Sequence, residues 1–219
     1  MNSYSGVVIS CLENLNNVRY VPPSDVARSL GRIVRFAGHT ELPISVLTHS
    51  FSVAKEVQTI IDKSTNKKLL KHRNDVIVAA LIHDATEAFI SDIPVPFKTA
   101  SQRELEDKIF FLINKGWNIK NIPSWGKALI KDADNNAASC EARNYGVKNY
   151  HMTGLKFLPP DEAFSSVYWA NSVCPFERGF YVKRMWEIFE EIVQSGNTKT
   201  SLDSLNELSD TKELMDSLI

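Results

Sequence analysis

The chain has 219 residues, 43% apolar and 23% charged, and a formal net charge of −1. That size and composition describe one ordinary globular domain with a substantial core. The near-zero charge argues against wrapping nucleic acid or coating an anionic membrane, although a local pocket for a nucleotide-sized anion would not show in the total.

Residues 1–23 read as extended or irregular, because Val7-Val8-Ile9 has strand character and Pro22-Pro23 opposes an early helix. The first five residues lack the basic start and apolar core of a signal peptide, and the longest apolar run, Val76 to Ile82, is seven residues. The expected setting is therefore the cytoplasm, a host's cytoplasm if the source is a virus. A helix is predicted from Ser24 or Asp25 through Val26, Leu30, Ile33 and Val34, followed by a loop around Arg35 to Gly38 and His39. From Ser45 the residues Val46, His49, Val53, Val57 and Ile60 recur at helical steps, which puts His49 on the inward face. The basic stretch from Lys67 to Arg73 reads as a solvated helix end or loop.

One helix is predicted from near Asn74 or Asp75, ending before Pro94 and Pro96, with Val76, Ala79, Ala80, His83, Glu87 and Ile90 on one side. Ser101-Gln102-Arg103-Glu104 reads as a capping box that opens a helix ending at Gly116. Ser124 opens another, carrying Leu129, Ile130, Asp134, Ala137, Ala138 and Glu141 inward and closed by Gly146. Later helices are predicted over about 161–173 and about 175–195. Residues 196–219 hold two lysines and five acids and a thin stripe of leucines. They fit an acidic tail or an appended amphipathic helix, beside a main unit spanning 1–195. The three cysteines, Cys11, Cys140 and Cys174, form no CxxC pair and are expected to be reduced thiols. With so little strand pattern the fold class expected is all-α, leaving room for a small N-terminal β element.

The central chemical signal is Leu81-Ile82-His83-Asp84-Ala85-Thr86-Glu87. An imidazole and a carboxylate side by side in an apolar helix are costly to bury unless something uses them. A divalent metal can, since it accepts imidazole nitrogen and carboxylate oxygen together. His49 lies 34 residues before His83, and Asp134 lies 50 residues after Asp84, each inward on its own helix. Three antiparallel helices would bring the four side chains together. Each residue alone has a plain structural explanation, and it is the conjunction that points to a metal. Asp132 falls off the inward face, so Asp134 is the preferred ligand.

The order His49, His83-Asp84, Asp134 resembles the metal signature of the HD-domain phosphohydrolase superfamily. Arg35-Phe36, ahead of His49, resembles the Arg-aromatic pair of bacterial HD-domain 5′-deoxyribonucleotidases. The run from His83 to Lys98 resembles their His-Asp-x-x-Glu … Asp-(Ile/Leu)-Pro-x-Pro-x-Lys block, and Lys131-Asp132-Ala133-Asp134 their Lys-x-Ala-Asp segment. The same block occurs in phage and prophage HD proteins, including triphosphohydrolases of deoxyadenosine triphosphate. The resemblance covers roughly residues 20–145. Phe36 stands where these nucleotidases usually have Trp, Ser91 where they have Gly, and the Arg-to-His loop is about one residue shorter. Those departures bear on base and sugar preference more than on the chemistry.

The resemblance implies an HD-domain helical bundle holding one divalent ion (Co, Mn, Zn or Mg) on His49, His83, Asp84 and Asp134. It makes Glu87 a catalytic carboxylate and gives Asp92 a place in positioning the water, Arg35 or a sugar hydroxyl. Arg35 offers a planar fork for phosphate oxygens, with Lys98 and Lys131 as further charges, Phe36 as a stacking surface and Pro94 and Pro96 as a stiff pocket wall. The implied activity is hydrolysis at the α-phosphate of a deoxynucleotide, as a dNMP 5′-nucleotidase or a dNTP triphosphohydrolase. The alternatives are an HD-type phosphodiesterase of cyclic or linear dinucleotides and a non-catalytic nucleotide-binding regulatory module. The expected partner is a small-molecule nucleotide, with no nucleic-acid polymer and no membrane, in a homo-oligomer such as relatives commonly form.

Overall fold

A computed structural model describes residues 20–40, 43–94, 97–144, 175–198 and 202–203. The Val7-Val8-Ile9 element, Gly146, Cys11, Cys174, the helix predicted over about 161–173 and most of the tail lie outside the described residues. Among the described residues the regular structure is helical, with one isolated antiparallel bridge between Val34 and Ser45, so the all-α reading holds.

The helices are α1 (Pro23–Leu30), α2 (Val46–Asp62), α3 (Lys67–Lys71), α4 (Arg73–Leu81), α5 (Glu87–Ile90), α6 (Ala100–Gly116), α7 (Ser124–Asn144) and α8 (Pro175–Ser195); a 3-10 turn covers Arg35–Gly38. The last of these matches the helix expected over about 175–195.

α2 is the axis of the bundle. It packs against α4 and α7, while α1 packs on α8 and α5. It starts where Ser45 accepts a hydrogen bond from the Thr48 backbone N–H, which satisfies one orphan donor. Val46, Leu47, Phe51, Val53, Ala54, Val57 and Ile61 are buried around nearly its whole circumference, as expected of a central helix. Its polar residues are therefore buried too and need partners. Ser52 donates to the Thr48 carbonyl, and Glu56 accepts from Asn136 Nδ2 on α7 at 2.6 Å. α7 comes close to α4 at Gly126, where an added Cβ would stand 3.0 Å from a Val76 methyl. That close approach sets the height at which the rest of α7 meets α2.

Three local expectations are corrected. α1 starts at Pro23, not at a Ser24 or Asp25 cap: proline needs no N–H in a first turn, so Pro23 opens the helix instead of opposing it. It also ends at Leu30, before Ile33 and Val34. The capping box is Thr99 with Gln102, two residues ahead of the one expected. The helix predicted through to Ile90 breaks after Leu81, and residues 82–86 form tightened turns before α5. There the backbone bonds shorten to three-residue steps, such as Ala85 N to Ile82 O and Glu87 N to Asp84 O. The His83 ring also takes the Ala80 carbonyl at 2.7 Å, competing for an acceptor that a continuing α-helix would use.

The start of the tail docks on the bundle. Thr198 and Leu202 are buried; Thr198 bonds Arg73 and Asn74, and Asp203 pairs with Lys55 at 3.1 Å.

Candidate metal centre

Three stretches of chain meet at one point. α2 supplies His49, the turn after α4 supplies His83 and Asp84, and α7 supplies Asp134. The loop before α2 is pinned to it by the Val34–Ser45 bridge, through Arg35 N to Ile44 O at 2.9 Å and Val46 N to Ile33 O at 3.0 Å. This places Arg35 over the same point.

The two imidazoles are oriented from behind. His49 is fully buried, and its Nδ1 lies 2.9 Å from Glu141 Oε1. A carboxylate only accepts, so a neutral His49 carries its proton on Nδ1 and turns the Nε2 lone pair inward. His83 is held in the same sense, with Nδ1 on the Ala80 carbonyl and a buried Nε2 that has no hydrogen-bond partner. Asp134 Oδ1 stands 3.1 Å from His49 Nε2, and Asp84 Oδ2 stands 3.2 Å from His83 Nε2 and 3.7 Å from His49 Nε2. Lone pairs facing carboxylate oxygens repel unless a cation sits among them. His49, His83 and Asp134 each bring one ligand atom to within 4.8 Å of the others, and they form the one such group among the described residues. Imidazole nitrogens with carboxylate oxygen suit a divalent ion of borderline softness. The residues thus fit a metal ion. Asp84 stands beside this trio, drawn partly toward Arg35 Nη1 at 3.7 Å.

The electrostatics carry the same message. Burial and Arg35 push His49 down, yet Glu141 and the hydrogen bonds to Asp134 and Glu141 lift it to about 9. In effect the site holds a proton where a metal would sit. Burial raises Asp84 and Asp134, but the histidines outweigh it, with Arg35 helping at Asp84 and Lys131 at Asp134, and hold both below the usual carboxylate range. Glu87 goes the other way: burial, then the neighbouring Asp84 and Asp92, push it up to about 9. It is buried at the first position of α5, and its Oε2 has no partner. Asp92, half-buried beyond α5, is raised by burial. The residue just before Asp92, Ser91, has φ 69° and ψ 166°, a region that glycine fills and other residues enter only under strain.

The remaining expected residues take these places. Arg35 donates from Nε to Glu141 Oε2 at 2.9 Å. Its guanidinium lies 5.6 Å from the centre of the Phe36 ring, so Phe36 backs the arginine. Lys98 pairs with Glu106 on α6 at 2.7 Å and still acts on Glu87 and Asp84 through its charge. Lys131 is exposed and pairs with Asp134 Oδ2 at 2.7 Å. His39 and Asp132 are exposed, Cys140 is a buried thiol with its Sγ 3.9 Å from Asn136 Oδ1, and Pro96 lies outside the described residues.

Glu141 is the residue to which the sequence reading gives no role. It is fully buried, and it touches both His49 and Arg35. Its signal was its place on the inward face two turns beyond Asp134.

The sequence model of the family described as 5′-deoxynucleotidase YfbR-like matches residues 25–109. The uncharacterized protein YfdR of Escherichia coli (strain K12) is 30% identical over 147 residues, which cover 66% of this chain and 72% of that protein. The family match takes in Arg35, His49, His83, Asp84, Glu87, Asp92 and Lys98.

Proposed function

Because the chain belongs to the nucleotidase-like branch of the HD-domain phosphohydrolases, we propose that it hydrolyses deoxynucleotides at the α-phosphate with one divalent metal ion. The observation that carries this is the convergence of His49, His83 and Asp134 on one point, with Arg35 and Glu87 beside it. The metal would be held by those three and by Asp84. When bound, it neutralises a phosphoryl oxygen and lowers the pKa of a water in its reach.

The protein's residues do the rest. Arg35 has its Nε occupied by Glu141, so its Nη groups are the donors left for a phosphoryl oxygen. Glu87 would take a proton from the attacking water once the metal's charge has driven off its own, and return it to the leaving oxygen. The water oxygen bonds to the α-phosphorus, the bond from phosphorus to the 5′ oxygen breaks, and the proton ends on that oxygen. A monophosphate then yields nucleoside and phosphate, and a triphosphate yields nucleoside and triphosphate. Asp92, held near Arg35 and Asp84, would orient the water or a sugar hydroxyl. Phe36, its ring beside the guanidinium, would meet a base or sugar.

A single such cluster among the described residues supports one-metal hydrolysis over a two-metal phosphodiesterase reading, and the complete set of ligands and acids speaks against a decayed regulatory module. The test is hydrolysis of dNMP and dNTP panels with added Co²⁺, Mn²⁺, Mg²⁺ or Zn²⁺, beside an Asp84→Ala control. Release of phosphate or triphosphate by the unaltered protein alone supports the reading and says which product is made. No release from either panel with any of these metals would refute it.

A further inference from the structure

Resting on that reading, we infer that Glu141 is a positioning residue that couples the metal site to the phosphate site through the two ends of one carboxylate. Oε1 accepts from His49 Nδ1 at 2.9 Å, and Oε2 accepts from Arg35 Nε at 2.9 Å. The three residues are far apart in sequence and come from α7, α2 and the 3-10 turn.

Each contact has its own consequence. The first fixes the tautomer and ring plane of His49, so that Nε2 faces Asp134 and His83. A histidine ligand without such an outer partner is free to rotate or to protonate the wrong nitrogen. The second holds the base of the Arg35 fork and leaves Nη1 turned toward Asp84, 3.7 Å away. Arg35 needs that anchor. The residues after it, Phe36 and Ala37, are left-handed at φ 55° and 50°, a conformation that non-glycine residues adopt only under strain. A loop under that strain does not hold a long side chain by itself.

A fully buried carboxylate is expensive, and an apolar residue of similar volume would often serve stability as well. Here two N–H donors use both of its oxygens, and both belong to the site. Glutamine has the same shape but one acceptor. Whichever donor its oxygen serves, its NH₂ group faces the other N–H.

The experiment is Co²⁺ titration of metal-free protein, followed by cobalt absorption, on the unaltered chain, Glu141→Gln and Glu56→Gln. Glu56 is a second buried carboxylate on the α2–α7 contact, where it accepts from Asn136 Nδ2. For Glu141→Gln the Co²⁺ Kd rises about 10–100-fold, and KM for the nucleotide remains raised at saturating Co²⁺ because Arg35 has lost its anchor. Glu56→Gln loses stability and keeps the original Co²⁺ Kd. A folded Glu141→Gln protein with unaltered Co²⁺ Kd and KM overturns the inference while leaving the proposed function standing. If Glu141→Gln does not fold, nitrogen NMR of the histidines in the unaltered protein loaded with Zn²⁺ decides. A proton on His49 Nδ1 supports the role, and a proton on Nε2 overturns it. Failure of the unaltered chain to bind Co²⁺ would sink the proposed function itself, and this inference with it.

Discussion

Raising the pH of the metal-free protein from about 7 to about 8.5 should strengthen metal binding well past the range in which an ordinary histidine titrates. His49 is lifted to about 9 by Glu141 and Asp134 against the effect of burial and Arg35, so at neutral pH its Nε2 holds a proton that a metal must displace. One proton displaced per metal gives a tenfold change in affinity per pH unit, about 30-fold and about 2 kcal/mol over that interval. Glu87, also pushed up to about 9, steepens the slope further if the metal's charge drives off its proton. The same shifts set the stability of the metal-free fold. Both groups bind protons more tightly folded than unfolded. His49 therefore contributes stability that is complete below about 6.5, its unfolded pKa, and is lost as pH rises through about 9. Glu87 acts in the same direction from about 4.5 upward. Metal-free protein should thus melt lower as pH rises, while metal-loaded protein should not, and the gap between them should widen. Co²⁺ Kd by absorption and paired melting curves measure both. An affinity that levels off near pH 7 would refute the reasoning, because it would mean that His49 is already neutral there.

Other outcomes follow from the geometry. Ser91→Gly relieves a backbone conformation at φ 69° and ψ 166°. It should stabilise the protein by about 1 kcal/mol, net of glycine's greater entropy when unfolded, and raise Tm by roughly 2–4 °C. Phe51→Ala removes a fully buried ring from the central helix and should cost about 3–5 kcal/mol in denaturant melts. Arg35→Lys keeps the charge but loses the fork that spans Glu141 and the centre. KM for the nucleotide should rise roughly tenfold, about 1.4 kcal/mol, by steady-state kinetics, with Co²⁺ Kd changed far less.

Much of this centre was legible in the sequence because its ligands lie on inward helix faces. The steps from Val46 to Val57 put His49 inward, and the spacing of Ile130, Asp134, Ala137 and Glu141 preferred Asp134 over Asp132; His49 and Glu141 are buried, Asp134 meets His49 and Asp132 is exposed. What escaped was tertiary. Residues His83 to Ala88 contain no proline or glycine, so nothing local marks the break after Leu81. The break shows only where the His83 ring takes a backbone carbonyl. Glu141 was placed on the right face, but its partners are 92 and 106 residues away, and no periodicity reaches that far. Two capping-box patterns, opening at Thr99 and at Ser101, lie two residues apart in the sequence, and the fold uses Thr99 with Gln102. Pro23 opens α1 because its missing N–H costs nothing in a first turn, a role that two adjacent prolines do not announce.

The account stands most directly on metal stoichiometry measured together with turnover. Metal-free protein titrated with Co²⁺ in the presence of its deoxynucleotide substrate should gain activity in proportion to the metal bound and reach a plateau at one equivalent. His83→Ala should abolish both signals. Full turnover by protein stripped of metal, or a plateau reached only at two equivalents, would contradict a single ion held by His49, His83 and Asp134.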